Sequence, residues 1–86
     1  MHTVGLLEQY ARVAERLGYQ VRHEWLGGGV GGACEFGGRK WIFVDLAVSP
    51  EEQLEQVAEA LRVDPGIHLL PLTEEVARGL GIQRAA

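Results

Sequence analysis

The spacing of apolar residues near the start of the chain predicts an amphipathic helix. Between Val4 and Leu17 apolar side chains recur every three or four positions, which places them along one side of a helix. Thr3 can cap the start of this helix, and Gly18 can end it in a left-handed conformation. One side of the helix is therefore expected to be buried.

After Gly18 the apolar positions alternate with polar ones, and this pattern predicts strands. The segment YQVRHEWL, residues 19–26, alternates as a half-buried strand does. Two further strands are predicted at Ala33–Phe36 and Arg39–Leu46, joined by a tight turn at Gly37-Gly38. The third strand contains WIFV, and such an unbroken apolar run favours a position inside the sheet.

The segment SPEEQLEQVAEALR, residues 49–62, predicts a second amphipathic helix with a well-defined start. Ser49 and Glu52 can form a capping box, in which each side chain binds a backbone N–H of the other residue. Pro50 suits the first helical position, because no hydrogen bond is lost there. This is the strongest local pattern in the chain.

The C-terminal part of the chain predicts two short elements after a turn at Asp64–Gly66. Ile67–Leu70 has the composition of a short strand. A last helix is expected to be capped by Thr73 and to end at Gly79 or Gly81.

These elements together predict a single α+β domain over residues 1–86. The expected order is αβββα(β)α, in a small sandwich with a mostly antiparallel, mixed sheet and its helices on one face. If Ile67–Leu70 pairs with the third strand, the second helix forms a right-handed parallel crossover.

A hairpin of the first two strands about Gly27–Gly32 would place most aromatic side chains on one face of the sheet. Two helices cover only one face, so the other is expected to bind a partner, unless residues 67–82 fold over it. On the opposite face, Glu35 and Lys40 would form a cross-strand ion pair. The aromatic side is predicted to hold Tyr19, Val21, Trp25, Cys34, Phe36, Trp41 and Phe43, of which Trp25, Trp41, Phe36, Phe43 and Tyr19 are the expected binding residues.

The single cysteine has two interpretations in this arrangement. Cys34 would lie between Trp25 and Trp41, with His23 on the same face. A cysteine beside a histidine can form a thiolate nucleophile, so Cys34 and His23 are candidate catalytic residues. The alternative is a small apolar residue buried between two indoles, since unpaired cysteines are among the most buried residues.

The glycine-rich segment LGGGVGGACEFGG contains a G-x-G-x-x-G spacing at Gly27, Gly29 and Gly32. A dinucleotide site of this type needs a helix after the last glycine, so that helical N–H groups meet the phosphates. The residues after Gly32 are too few and too interrupted by glycine to form that helix. Asp45 stands where a ribose-binding acid would be, but an acidic residue cannot replace the missing helix. We therefore expect no nucleotide and no other cofactor.

Charge and composition exclude several further classes of function. The formal net charge of −4 argues against nucleic acid, whose phosphates need a basic surface. No apolar run is long enough to cross a membrane, and the N-terminus does not read as a signal peptide, so a cytoplasmic location is expected. The three histidines, His2, His23 and His68, lack the spacing of metal ligands, and we expect no metal.

The segment GGACEFGGRKWIFVDLAVSPEEQLEQVAEALR resembles a group of small bacterial proteins. In these proteins a G-G-x-C segment precedes a strand of the form G-[RK]-x-x-[FIL]-[FIV]-[VLI]-[DN] and a helix with E-Q-L or E-K-I. The resemblance implies a freestanding bacterial protein in which Cys34 belongs to the shared pattern. It implies no activity.

The second helix also resembles that of small zinc metallopeptidases, which carry H-E-x-x-H after a capped start. Glu59 would match the catalytic glutamate, whereas Ala58 and Arg62 stand where the two zinc histidines belong. This likeness implies at most the fold of such an enzyme, without its metal.

The sequence therefore favours a small non-enzymatic interaction module whose aromatic sheet face binds a protein partner or a second copy. A homodimer is expected to bury this face, with Trp25 or Trp41 near its centre, because exposed aromatic surface invites association. The alternatives are a thiol enzyme using Cys34 and His23, and a degenerate metallopeptidase-like domain.

Overall fold

The computed structural model describes residues 3–28 and 31–82. Three α-helices and a three-stranded mixed sheet form a small α+β domain, as the sequence predicts. A 3₁₀-helix lies between the last two helices. In chain order the elements are α1 (Thr3–Arg16), β1 (Tyr19–Glu24), β2 (Gly32–Phe36), β3 (Arg39–Asp45), α2 (Pro50–Val63), the 3₁₀-helix (Pro65–Leu69) and α3 (Glu74–Leu80).

The sheet has the strand order β1-β3-β2, so the apolar strand β3 lies in the middle as expected. It is parallel to β1 and antiparallel to β2. The predicted hairpin between β1 and β2 is wrong. Instead β1 and β2 lie on opposite sides of β3, and the parallel strands β1 and β3 end side by side at Glu24 and Asp45.

The predicted strand at Ile67–Leu70 is also wrong, and with it the parallel crossover through α2. The segment forms the 3₁₀-helix, whose start is fixed by the Asp64 side chain accepting a 2.9 Å hydrogen bond from the Gly66 N–H. Ile67 is fully buried in the core. The place beside β3 is taken by β1, so no edge of β3 is left for a fourth strand.

The predicted Gly37-Gly38 turn and the predicted ends of α2 and α3 are confirmed, whereas Thr3, the expected cap of the first helix, is itself the first residue of α1. Gly37 and Gly38 form the hairpin turn between β2 and β3 with φ of +61° and +74°, the left-handed values that a two-residue turn of type I′ requires. Ser49 and Glu52 form the capping box of α2. Thr73 caps α3, and Gly81, at φ +75°, ends it.

The hydrophobic core lies between the helices and one face of the sheet. Ile42 and Val44 of β3 are fully buried there. The C-terminal segment packs on the same side, because α3 contacts α1 and α2 and none of the strands. The alternative in which residues 67–82 cover the aromatic face is therefore wrong. The buried residues of the helices and of the 3₁₀-helix in this core are Leu7, Tyr10, Val13, Ala14, Val57, Ala58, Ala60, Leu61, Ile67, Val76 and Leu80.

Candidate functional site

Three aromatic rings are stacked on the face of the sheet that the helices leave open. The Phe36 and Trp41 ring centroids are 5.6 Å apart at an interplanar angle of 10°, and those of Trp41 and Phe43 are 6.0 Å apart at 13°. Cys34 lies on the same face, directly opposite Trp41 in the β2–β3 register. We call Phe36, Trp41, Phe43 and Cys34 the aromatic face.

Two residues predicted on the aromatic face lie on the other side of the sheet. Because β1 pairs with β3 directly and in parallel, Tyr19 lies beside Lys40 and Val21 beside the buried Ile42. Tyr19 and Val21 therefore pack against the core. Their assignment to the aromatic face is wrong, and it followed from the incorrect β1–β2 hairpin.

Trp25 lies beyond the end of β1 and is 76% exposed. It takes no part in the stack of Phe36, Trp41 and Phe43. The two tryptophans therefore have different environments, since the indole of Trp41 lies between two other rings.

The half of the open face formed by β1 is polar. Gln20 lies beside Trp41, and Arg22 beside Phe43. The Arg22 guanidinium forms a 2.7 Å salt bridge with Glu24 on the same strand. An aromatic strip on β2 and β3 is thus flanked on one side by both signs of charge.

Cys34 and His23 do not form a catalytic pair in this structure. His23 pairs with Val44 and Cys34 with Trp41, and positions 41 and 44 of a strand point to opposite faces. The expectation that they share a face is wrong. Cys34 is exposed, so the interpretation as a thiol buried between two indoles is wrong as well.

Two backbone N–H groups of the glycine-rich loop, those of Leu26 and Gly28, are directed at the carboxylate of Asp45. The N–H groups of Leu26 and Ala47 donate to Asp45 Oδ1 over 3.0 and 2.8 Å, and the Gly28 N–H donates to Oδ2 over 2.6 Å. Asp45 is fully buried at the end of β3. The loop N–H groups that a phosphate would need at these positions are thus directed at a side chain of the protein itself.

Gln56 of α2 lies close to Gly31, near the start of β2. The Asp45 N–H donates to Gln56 Oε1 over 3.0 Å. A Cβ atom at Gly31 would lie 2.6 Å from Gln56 Cδ, so a side chain there would displace Gln56. Sequence reasoning missed Gln56, because a polar residue among the polar positions of a helix carries no distinguishing pattern.

A second polar cluster joins the start of β1 to the end of α2. The Lys40 ammonium lies 3.2 Å from Asp64 Oδ2 and 4.4 Å from the centroid of the Tyr19 ring. The predicted pairing of Lys40 with Glu35 is correct in strand register, but the salt bridge forms with Asp64. Tyr19 thus contributes to a structural cluster on the core side of the sheet.

The pKa of Asp64 is set by two opposing effects. Partial burial alone would raise it, but hydrogen bonds from the Gly66 N–H, the Lys40 ammonium and the Tyr19 hydroxyl outweigh burial and lower the pKa below its usual value of 3.8. The folded state therefore favours the ionised form more than the unfolded state does. This stabilisation is present above pH 3.8 and is lost as the pH falls through the lowered pKa.

We expect the variant Asp64→Asn to be less stable than the parent protein at pH 6 and to lose less stability on acidification. Urea unfolding at a series of pH values from 6 down to about 2 measures the free energy of unfolding of both proteins. Linkage predicts that the difference between the two free energies narrows below the ordinary carboxylate pKa. Glu59→Gln, a change at an exposed carboxylate, is the matched control. If the free energy of unfolding of Asp64→Asn depended on pH in the same way as that of the parent, the lowered pKa of Asp64 would be contradicted.

Within residues 3–28 and 31–82 no cluster of three or more metal-binding side chains is present. On α2, Ala58 is buried, whereas Glu59 and Arg62 are exposed. No helix among the described residues is long and apolar enough to span a membrane. No known protein family, curated protein or solved structure matches this chain.

Proposed function

We propose that this protein is a non-enzymatic interaction module and that its aromatic face binds a second copy of the same chain. The observation that carries the proposal is the stack of Phe36, Trp41 and Phe43 on a sheet face that no described helix covers. Phe36 is 57% exposed in the isolated chain. Contiguous aromatic surface of this kind is typical of the centre of a protein interface.

The composition of the open face supports a second copy as the occupant. Its aromatic strip is apolar, and its margin carries both Arg22 and Glu24. When two identical faces meet about a two-fold axis, each positive group can lie near a negative group of the other copy. The aromatic strips would then form the dry centre of the contact, with Trp41 at its middle, and the charged margins would form its rim.

Sedimentation equilibrium of the parent protein and of Phe43→Glu tests this proposal. We expect the parent to associate with a dissociation constant on the order of 1 µM and the variant to associate at least tenfold more weakly, since a carboxylate would be buried in the contact. Trp25→Glu is the matched control, because Trp25 is exposed but outside the stack. Thermal melting of each variant verifies that it is folded.

A parent protein that remains monomeric at about 100 µM would overturn the proposal, since that concentration is far above the expected dissociation constant. Equal weakening by Trp25→Glu and Phe43→Glu would also contradict it. That result would place the contact outside the aromatic face.

A further inference from the structure

We propose that the free edge of β2 pairs with β2 of a second copy, antiparallel about a two-fold axis at Cys34, to form a continuous six-stranded sheet. This contact is distinct from the docking of aromatic faces proposed above and involves different atoms. It uses backbone hydrogen bonds along the edge of the sheet, whereas face docking uses side chains.

The direction of the backbone groups of β2 follows from its turn. In a hairpin closed by a two-residue turn, the residues that flank the turn form a hydrogen-bonded pair, and such pairs alternate along the ladder. Phe36, Cys34 and Gly32 therefore direct their N–H and C=O groups toward β3. Ala33 and Glu35 direct theirs outward, where the part of the chain that the structure describes offers no backbone partner.

The β2 edge also lacks the features that normally prevent strands from pairing between molecules. Natural edge strands are protected by lysines, prolines or bulges. The sequence of β2 is GACEF, with one charged residue, and four of its five residues are exposed. The other edge strand, β1, carries Gln20 and the Arg22–Glu24 salt bridge and is protected by comparison.

The side chains of β2 are complementary to themselves in the antiparallel direction. A two-fold axis at Cys34 places Ala33 opposite Glu35 of the second copy, so the two Glu35 carboxylates do not face each other. It also places Phe36 opposite Gly32, and an aromatic ring over a strand glycine is a favourable cross-strand arrangement. Phe36, the largest side chain of β2, would thus cover Gly32 of the second copy, which has no side chain.

Edge pairing would place the aromatic strips of two copies together. The order of the six strands would be β1-β3-β2-β2-β3-β1, with the aromatic strips of β2 and β3 in the centre and the Arg22–Glu24 salt bridges of β1 outside. A three-stranded face of this length has a footprint of roughly 14 by 23 Å, or about 300 Å². A standard interface buries about 800 Å² per partner, so the doubled face would make face docking tighter than a single face does.

Replacing Glu35 by proline tests the edge contact. The Glu35 N–H points outward, so proline removes a donor to the second copy and leaves the β2–β3 ladder intact. The preceding residue, Cys34, is already extended, which is the conformation that proline favours before it. Glu35→Gln is the matched control, since it removes the charge and keeps the N–H group.

If both contacts exist, sedimentation equilibrium should find four chains in the parent and in Glu35→Gln, and two chains in Glu35→Pro and in Phe43→Glu. A Glu35→Pro variant with the mass of the parent would overturn the edge contact. A Phe43→Glu variant with the mass of the parent would overturn face docking instead. The two failures are therefore distinguishable.

Cross-linking of Cys34 provides a test that requires no proline. Directly opposed residues of a non-hydrogen-bonded antiparallel pair have Cα atoms about 4.5 Å apart, within the range of a disulfide. Diamide, which oxidises two thiols to a disulfide and is itself reduced, should cross-link the parent at least tenfold faster than a Cys34→Ala variant carrying Ala33→Cys. Equal rates would overturn the proposed register.

Discussion

Replacing Asp45 by alanine is expected to destabilise the folded protein by about 3 kcal/mol, because hydrogen bonds to a charged acceptor are worth roughly 1.5 to 3 kcal/mol each and the loop relaxes into water. Among the described residues, the buried carboxylate accepts backbone hydrogen bonds from Leu26, Gly28 and Ala47. Without it, these donors must either remain unpaired in the interior or open the loop. Urea unfolding followed by circular dichroism measures the loss.

Two further variants separate the role of the Asp45 charge from that of its shape. Asp45→Asn keeps the size of the side chain but turns an N–H₂ group toward backbone donors, so we expect an intermediate loss of about 2 kcal/mol. Glu59→Gln changes an exposed carboxylate and should alter stability by less than about 0.5 kcal/mol. An Asp45→Ala variant as stable as Glu59→Gln would contradict the assigned role.

Replacing Gly79 by alanine is expected to destabilise the protein by about 1 to 2 kcal/mol, although alanine is the better helix former by about 1 kcal/mol. Gly79 lies in α3 with ordinary helical geometry, but a Cβ atom there would overlap the hydroxyl of the buried Tyr10. Steric overlap in a packed core therefore outweighs the gain in helix propensity. Thermal and urea unfolding of Gly79→Ala and of the parent show whether the free energy of unfolding falls, as expected, or rises.

The Tyr10→Phe variant isolates the cause of the Gly79 effect. Without the hydroxyl, the nearest remaining ring atom, Tyr10 Cζ, is 3.5 Å from the position that an alanine Cβ would take, an ordinary contact. In that background Gly79→Ala should be neutral or stabilising. Gly5→Ala in α1, where no atom lies within 4 Å, should stabilise the parent by about 0.5 to 1 kcal/mol. A Gly79→Ala variant that is destabilising in both backgrounds would rule out the hydroxyl as the cause.

Local patterns predicted the helices, the hairpin turn and the caps of α2 and α3, because each depends on residues close together in the chain. Ser49 and Glu52 are three positions apart, and the Gly37-Gly38 turn joins adjacent strands. The central position of β3 was also predictable, since WIFV is apolar on both faces. The stacking of Trp41 between Phe36 and Phe43 on the open face was not predictable, because it depends on side-chain conformations that the pattern does not encode.

The pairing partner of β1 was not predictable, because it depends on where a glycine-rich connection leads. The same alternation in β1 is compatible with a hairpin to β2 and with a parallel place beside β3, and only the second is realised. Because β1 pairs with β3, Tyr19, Val21 and His23 do not lie beside the side chains that the predicted hairpin would have placed near them. Asp45 offers one signal that could have decided it, since an acid ending an apolar strand beside a glycine-rich loop can bind the N–H groups of that loop.

The placement of β1 and β2 on opposite sides of β3 has a consequence for the order of folding. The β2–β3 hairpin closes through two residues, whereas β1 can join only after β3 is in place, across a longer and more costly loop. Changes at Gly37 or Gly38 should therefore slow folding. Changes at Asp45, which binds the Leu26 and Gly28 N–H groups only once β1 lies beside β3, should mainly accelerate unfolding.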